Sequence, residues 1–460
     1  MHSFSDEKQE LFELLLREGG IDLPPLPAMP KRDVSKPCRL AIAQEMLWNS
    51  SKSDPTCELY NEVILLRFSG SLNVAALTQS LNEMVRRHEI LRTRFAQADG
   101  QVYQLTSAEL KLEMPIADLG WAPARQQKAI WKRLLDEGVS RAFKLEELPL
   151  LRCALIVLGR QEQLVLMTLH KIICDKWSRK IIVNELSHLY ESFVVGEQPA
   201  LDELEIQYGD FAMWQREQLE AGEFDRDIRY WNEKLRNELT PVTIAGDISR
   251  PLPSHRRLAS CDVRLSNATG RQMKQVTRNQ GLTSYMILLA GWYALLRKQS
   301  GQEEIFVFTL VANRGRSEFQ NLIGPLSNTV MMKLNLKGNP GFKEVMRAVR
   351  ETVIEALEHQ EMGCELAMKG MARLKAASRN PLAVVMFMME EAITTEAGFG
   401  GLNVIEEDMR GSVAQSDLAI VMRQVGETFE GRIEYNTALF DDKTIRCMAA
   451  SYQELLVLQL

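Results

Sequence analysis

The spacing of apolar side chains alternates between a helical and an extended period along this chain. Apolar residues recur every three or four positions in four segments, and this period predicts helices at Val74–Arg87, Ile181–Phe193, Ser284–Arg297 and Phe342–Gln360. Shorter apolar runs between them predict strands at Glu62–Phe68, Leu151–Leu158, Gln163–Leu169, Glu304–Leu310, Asn328–Leu336 and Ala383–Met389. Two further runs flank Gly426 and predict a hairpin of Asp417–Gln424 with Thr428–Tyr435. Because strands alternate with helices, we expect an α/β fold with sheets covered by helices.

Two proline-rich segments divide the chain into units. The first, residues 19–37, follows a short amphipathic helix predicted at Asp6–Arg17, and the second, residues 240–257, follows a polar helix predicted at Tyr208–Leu235. Proline removes an N–H donor and restricts its neighbour, so both segments are expected to be extended linkers. We therefore expect four units: an N-terminal helix and linker (1–36), a first lobe (37–205), interlobe helices and a linker (206–245), and a second lobe (246–460).

Composition narrows the class of protein. The chain has 460 residues, is 45% hydrophobic and 25% charged, and carries a formal net charge of −6, which argues against nucleic acid or an anionic membrane as its main partner. The N-terminus lacks a signal peptide, and no run of 18 apolar residues occurs, so we expect a cytoplasmic protein. Seven scattered cysteines, none in a CxxC pair, and six dispersed histidines predict no metal site.

One segment stands out as candidate chemistry. HKIICDKWS, residues 170–178, directly follows the strand predicted at Gln163–Leu169. A histidine that leaves a strand into a turn is well placed to face a cleft, although a single histidine is more often structural. The neighbouring segments decide between these two interpretations.

Eight segments resemble, in order and spacing, the condensation domain of non-ribosomal peptide synthetases. The three most informative are RHEILRTRF (87–95), which matches RHExLRTxF, HKIICDKWS (170–178), which resembles HHxxxDGWS, and YGDFAMWQ (208–215), which resembles YxDFAxWQ. The others are AIAQEMLW (41–48), IGPLSNT (323–329), HQEMGCE (359–365), SRNPL (378–382) and EYNTALFD (434–441). One such segment would be weak support, but eight in the family's order cover nearly the whole chain.

The resemblance implies a fold, partners and a task in non-ribosomal peptide or hybrid polyketide biosynthesis. The family has two lobes like chloramphenicol acetyltransferase, arranged as a V-shaped pseudo-dimer with a central tunnel and the HHxxxDG motif at its middle. Donor and acceptor carrier proteins would deliver substrates on 4'-phosphopantetheine arms, and no cofactor would be bound directly. Holding both substrates together makes the attack effectively unimolecular, which is a large part of such catalysis.

The resemblance also assigns roles within the motif. His170 matches the first histidine, which is mainly structural, and Lys171 stands at the position of the catalytic second histidine. Asp175 matches an aspartate that forms a salt bridge; its first candidate partner is Arg314 and its second is Arg92. Four more residues are expected to face the tunnel or substrate: Lys176, Trp177, Ser178 and Asn328.

Two departures from the pattern bear on catalysis. Lysine has an ordinary pKa of about 10.4, so the ammonium of Lys171 offers three donors and no acceptor. Either a lowered pKa would make it a base, or its charge would stabilise an oxyanion, or it does no chemistry. Lys176 replaces a glycine, so it is expected to intrude on the acceptor side or to displace the loop.

Three functions follow from these departures. The first is a degenerate condensation domain that binds carrier-tethered substrates but has impaired amide formation. The second is an active acyltransferase that forms an amide or ester by a histidine-independent mechanism. The third is a structural or recruitment module of a megasynthase.

Overall fold

A computed structural model describes residues 28–53, 58–236, 242–244, 257–369, 385–390, 398–407 and 416–459. The helix predicted at Asp6–Arg17 and the segment SRNPL (378–382) lie outside the described residues, as does most of the second linker. Within the described part of the chain, no helix is long and apolar enough to cross a membrane.

The first half of the chain forms a lobe around a five-stranded sheet and a small three-stranded one. Its strands are β1 (Cys38–Arg39), β2 (Asn61–Ser69), β3 (Thr93–Ala98), β4 (Gln101–Thr106), β5 (Ile116–Asp118), β6 (Leu151–Gly159) and β7 (Glu162–His170). Its helices are α1 (Ile42–Ser53), α2 (Val74–Arg87), α3 (Ala124–Ser140), α4 (Lys176–Val195) and α5 (Tyr208–Ala221). The small sheet has the order β1-β4-β3, and β2, β7, β6 and β5 lie side by side in the larger one.

The second half forms a lobe around a six-stranded sheet of order β10-β9-β11-β13-β14-β8. The strands of this half of the chain are β8 (Leu258–Arg264), β9 (Glu304–Val311), β10 (Asn328–Asn335), β11 (Val385–Glu390), β12 (Asn403–Glu406), β13 (Leu418–Val425) and β14 (Thr428–Asn436), and all of them except β12 belong to this sheet. Its helices are α6 (Asp225–Lys234), α7 (Asn267–Gln280), α8 (Ser284–Ser300), α9 (Ser317–Gln320), α10 (Phe342–Glu358), α11 (Cys364–Lys369) and α12 (Asp442–Gln459).

Most elements predicted from the apolar period are confirmed, and one prediction is wrong. Helix α2 has the predicted bounds, and β13 and β14 pair as the predicted hairpin around Gly426. The single helix predicted at Tyr208–Leu235 is instead two helices, because Gly222 adopts a left-handed conformation and ends α5. Helix α5 contributes to the apolar core of the first lobe, whereas Trp231 of α6 is buried in that of the second.

Two segments from the second half of the chain complete the first lobe. Strand β12 pairs antiparallel with β2 and forms the edge of the five-stranded sheet. The loop after β9 places four apolar side chains in the core of the first lobe: Phe319, Leu322, Ile323 and Leu326. The segment 246–460, expected to form the second lobe alone, therefore contributes to both lobes.

The inserted loop depends on a glycine at its closest approach to the first lobe. Gly324 has a φ of +149°, and a Cβ placed there would lie 1.9 Å from Cδ2 of Tyr208. The hydroxyl of Tyr208 donates to the carbonyl of Pro325 at 3.0 Å, so the ring cannot turn away without losing this hydrogen bond.

We predict that Gly324→Ala destabilises the protein by about 2–5 kcal/mol, since backbone strain and overpacking act together. Gly338→Ala is the matched control, because Gly338 also has a positive φ, of +80°, but has no atom within 4 Å of a Cβ. It should cost only about 1 kcal/mol. Urea unfolding of the two variants measures both values, and equal losses would contradict the close docking of this loop.

Candidate active site

The turn between β7 and α4 carries the motif at the centre of the first lobe. Strand β7 lies between β2 and β6, and His170, its last residue, is opposite Asn61 of β2. The chain then turns, with the N–H of Ile173 donating to the carbonyl of His170 at 3.0 Å. Ile172 and Ile173 are fully buried and anchor this turn in the core.

The His170 imidazole is enclosed by the protein. It is 3% exposed and stacks on Tyr60 with ring centroids 5.9 Å apart. Its Nδ1 accepts from the N–H of Ile172 at 3.1 Å, so the ring proton is assigned to Nε2, which lies 3.4 Å from Oγ of Ser51. Burial, reinforced by the neighbouring Lys171, lowers the pKa of His170 to about 3. The ring is therefore neutral, and its basic nitrogen already accepts a hydrogen bond from the backbone.

The Asp175 carboxylate caps α4 and binds the loop that the second half of the chain inserts into the first lobe. Its Oδ1 accepts from the N–H and the hydroxyl of Ser178, at 2.8 and 2.7 Å, which satisfies the free end of the helix. Its Oδ2 accepts from the N–H groups of Leu326 and Ser327, at 3.2 and 3.1 Å, and from the Ser327 hydroxyl at 2.8 Å. The side chain is only 9% exposed.

Arg314, from the loop after β9, is the counter-charge of Asp175. Its Nη2 lies 3.2 and 3.3 Å from the two carboxylate oxygens. Its Nη1 donates to the carbonyl of Leu322 at 2.7 Å, so the guanidinium also fixes the inserted loop. Burial raises the pKa of Asp175, but Arg314 and the hydrogen bonds from Ser178 and Ser327 outweigh it and lower that pKa overall.

Arg92, the second candidate partner of Asp175, lies elsewhere in the structure. Its Nη1 donates to the carbonyl of Ser107 next to the small sheet of the first lobe. Of the two arginines proposed from the sequence, only Arg314 contacts the carboxylate.

Two more motif residues bind the inserted loop. The Oγ of Ser178 accepts from the N–H of Gly324 at 3.0 Å. The indole Nε1 of Trp177 donates to the carbonyl of Gln320 at 3.2 Å, and the guanidinium of Arg314 lies 5.8 Å from its ring centroid. Both side chains fix the inserted loop against the first lobe by these contacts.

Asn328, expected to face substrate, has its amide engaged in the structure. Its Nδ2 donates to the carbonyls of Gln360 and Glu361, at 2.8 and 2.9 Å. These carbonyls follow α10, so the side chain ties the start of β10 to the end of that helix.

The two lysines of the motif lie in different settings. Lys171 is partly exposed, and its backbone N–H donates to the carbonyl of Tyr60 at 2.7 Å. Lys176 is the first residue of α4 and has a helical backbone. Its side chain reaches across to the second lobe, where Nζ lies 2.9 Å from Oε1 of Glu390.

Glu390, at the end of β11, was not identified from the sequence. Arg432 of β14 also approaches this carboxylate, at 3.3 Å, and donates to Glu434 at 2.6 Å. Burial raises the pKa of Glu390, but Lys176 and Arg432 lower it to about 2 overall. For Lys176 burial lowers the pKa, but Glu390 and Glu62 raise it above the ordinary value. Both members of the pair are therefore charged at neutral pH.

Arg179, one turn further along α4, holds a second pair of carboxylates. Its Nη1 donates to Glu62 of β2 at 3.0 Å, and its Nη2 donates to Glu406 of β12. The sequence signal for these buried carboxylates is an acidic residue in an otherwise apolar strand, as at Glu62 and Glu390.

Among the described residues, no group of three or more His, Cys, Asp or Glu side chains could hold a metal ion.

We predict that Asp175→Asn destabilises the protein by about 3–5 kcal/mol, because it leaves the buried guanidinium of Arg314 without a counter-charge. Asp33→Asn is the control: Asp33 pairs with Lys36 on the surface, with its side chain 52% exposed, and should change stability by less than about 0.5 kcal/mol. Urea unfolding measures both, and similar stabilities for the two variants would contradict the structural role of Asp175.

The stability difference between the parent and Asp175→Asn is also predicted to depend on pH. Because the folded-state pKa of Asp175 is lowered, its contribution is fully present above the ordinary value of about 3.9 and is lost as pH falls through the lower, folded-state value. The stability difference between the parent and Asp175→Asn should be constant from pH 8 to pH 5 and shrink below about pH 4. A difference that changes between pH 8 and pH 5 would show that another group is responsible.

Comparisons with known proteins agree with this architecture. The sequence profile of the Condensation domain matches residues 35–458. The chain is 35% identical over 419 residues to one of the linear gramicidin synthase polypeptides of Brevibacillus parabrevis, a match that covers 91% of this chain but only 8% of that protein.

Solved structures share the fold over nearly the whole chain. The X-domain from teicoplanin biosynthesis matches with a TM-score of 0.81 and 24% identity, covering 94% of this chain and 96% of that one, and it is also known in complex with OxyB. The starter condensation domain of rhizomide synthetase, in complex with C8-CoA and Leu-SNAC, matches with a TM-score of 0.78 and 17% identity over 92% of this chain and 95% of that one. The chain thus has the two-lobed fold related to chloramphenicol acetyltransferase, and it belongs to the condensation domain family of non-ribosomal peptide synthetases.

Proposed function

We propose that this chain binds carrier proteins bearing phosphopantetheine-tethered substrates but forms little or no amide between them. The observation that carries the proposal is the state of the three motif positions that could take a proton from an acceptor amine. The basic nitrogen of His170 is buried and occupied, and Lys171 replaces the histidine of the family motif. The carboxylate of Asp175 accepts hydrogen bonds from both halves of the chain.

The position of Lys176 supports the same proposal. In the family pattern this position is a glycine, which leaves space beside the motif. Here a lysine side chain extends from α4 to Glu390 in the opposite lobe, and so it crosses between the lobes next to the motif. An acceptor that approaches the motif along this path would have to displace an ion pair.

Condensation domains act on substrates delivered by carrier proteins, and the retained fold supports the binding half of the proposal. The chain spans 8% of the gramicidin synthase polypeptide that it matches, so carrier proteins of a larger assembly are the partners expected here. The likeness to the X-domain, which is known in complex with OxyB, favours recruitment of a separate protein as a second candidate function.

We predict that the parent protein forms no amide above background when it is mixed with aminoacyl and peptidyl carrier proteins. The double variant Lys171→His with Lys176→Gly should recover product, because loss of one proton-transfer or positioning group typically costs about 10²–10⁴-fold. Mass spectrometry of the carrier-bound product measures turnover.

Two control variants separate the causes. Lys171→Asn with Lys176→Gly removes both lysines without adding a base and should remain inactive. Lys171→Ala decides the histidine-independent alternative: robust turnover by the parent that this change abolishes would make Lys171 catalytic and overturn the proposal. Turnover that the change leaves intact would overturn it as well, because positioning alone would then suffice.

Carrier binding is predicted separately from turnover. Titration with a fluorescent holo carrier protein should give saturable binding of equal affinity for the parent and for Lys171→His with Lys176→Gly. Absence of binding by both would overturn the proposal and favour a purely structural module. Intact binding with no product from the repaired variant would favour recruitment.

A further inference from the structure

The start of α4 contacts three separate segments of the second half of the chain: the inserted loop, β11 and β12. Asp175, which caps the helix, binds Arg314 and the backbone of the inserted loop. Lys176 binds Glu390 at the end of β11, and Arg179 binds Glu406 of the crossing strand β12.

The Lys176–Glu390 connection differs from the other two in what it holds. The partners of Asp175 and Arg179 lie on segments that already belong to the first lobe, through its core or its sheet edge. Glu390 lies on β11, between β9 and β13 in the sheet of the second lobe. This ion pair therefore links the motif helix directly to the body of the opposite lobe.

Both ends of this pair are held by regular structure. The Nζ–Oε1 distance is 2.9 Å, with the Lys176 side chain 37% and the Glu390 side chain 26% exposed. Arg432 contacts the same carboxylate at 3.3 Å from the neighbouring part of the sheet. Isolated surface pairs contribute little, but a network on rigid elements loses less side-chain entropy when it forms.

The surrounding charges are nearly balanced. Three cations from the two lobes face four carboxylates: Lys176, Arg179 and Arg432 against Glu62, Glu390, Glu406 and Glu434. The three cations therefore offset most of the repulsion between the carboxylates of the two lobes.

We propose that Lys176, Glu390 and Arg432 form an interlobe clasp, which fixes the separation of the two lobes beside the motif. A glycine at position 176 has no side chain to reach Glu390, so the clasp depends on this substitution. The proposal concerns the spacing and rigidity of the lobes, and it holds whether or not the chain condenses substrates.

Single-molecule energy transfer between the lobes tests the clasp. Dyes are attached through unnatural amino acids at positions 133 on α3 and 446 on α12, where the native side chains are 71% and 70% exposed. The parent should give one narrow distribution of transfer efficiency. Lys176→Met, which keeps most of the side-chain volume but removes the charge, should broaden the distribution and lower its mean, and Glu390→Gln should do the same.

The two variants must also act through one contact. The double variant Lys176→Met with Glu390→Gln should shift the distribution no further than either single variant, because each already breaks the pair. Additive shifts would overturn the clasp, since the two residues would then act on the lobes independently. Distributions equal to that of the parent in both single variants would overturn it too.

A matched pair within one lobe provides the control. Lys234 and Glu355 are also 2.9 Å apart, with side chains 29% and 44% exposed, but both lie in the second lobe, on α6 and α10. Lys234→Met should leave the distribution unchanged, and an equal shift in this variant would show that loss of any such pair loosens the protein. Circular dichroism of each variant verifies that it is folded, and no carrier protein or product enters the measurement.

Discussion

The burial of one carboxylate, that of Asp175, is the constraint on which the docking of the inserted loop against the motif helix depends. A charge that is 9% exposed is tolerated only if a counter-charge and hydrogen bonds replace the lost water. Ser178 supplies part of that replacement from the first half, and Arg314, Leu326 and Ser327 supply the rest from the second. Because removal of any part leaves buried polar groups unsatisfied, the helix cap, the inserted loop and the motif turn form one unit.

This dependence explains why much of the family pattern is present although positions 171 and 176 depart from it. Several signature residues have structural partners: the guanidinium of Arg87 and the imidazole of His88 both contact Glu185, at 3.2 and 2.7 Å. In the same segment Glu89 binds Arg32, which also lies 2.9 Å from Asp210 of the YGDFAMWQ segment. Loss of these contacts would cost the fold itself, whereas a change at position 171 or 176 leaves the core intact.

The spacing of apolar residues predicts most of the helices and strands. Part of the site cannot be predicted from the sequence, because it is formed by ion pairs between residues that are far apart in the chain. The bounds of α2 follow from its apolar face, but the two-residue strand β1 has no period to detect. The pattern of residues 208–235 predicts one helix and does not reveal that Gly222 ends it, although a glycine in a polar stretch is a common signal for the C-terminus of a helix. Lys176 was identified from its departure from the family pattern. Its partner Glu390 is 214 residues away, and nothing in the linear sequence places the two side chains together.

The insertion of later segments into the first lobe also sets an order of folding. The first lobe emerges first during synthesis, yet its core lacks Phe319 and Leu322, and its β2 edge is open until β12 has been made. Arg67 and Glu407, which pair at that edge, are separated by 340 residues, and contacts of such long range form slowly. Among the described residues, the core of the second lobe consists of residues after the break at Gly222. The half of the chain that is made first therefore cannot complete its own lobe before residues 403–406 of the other half have been made.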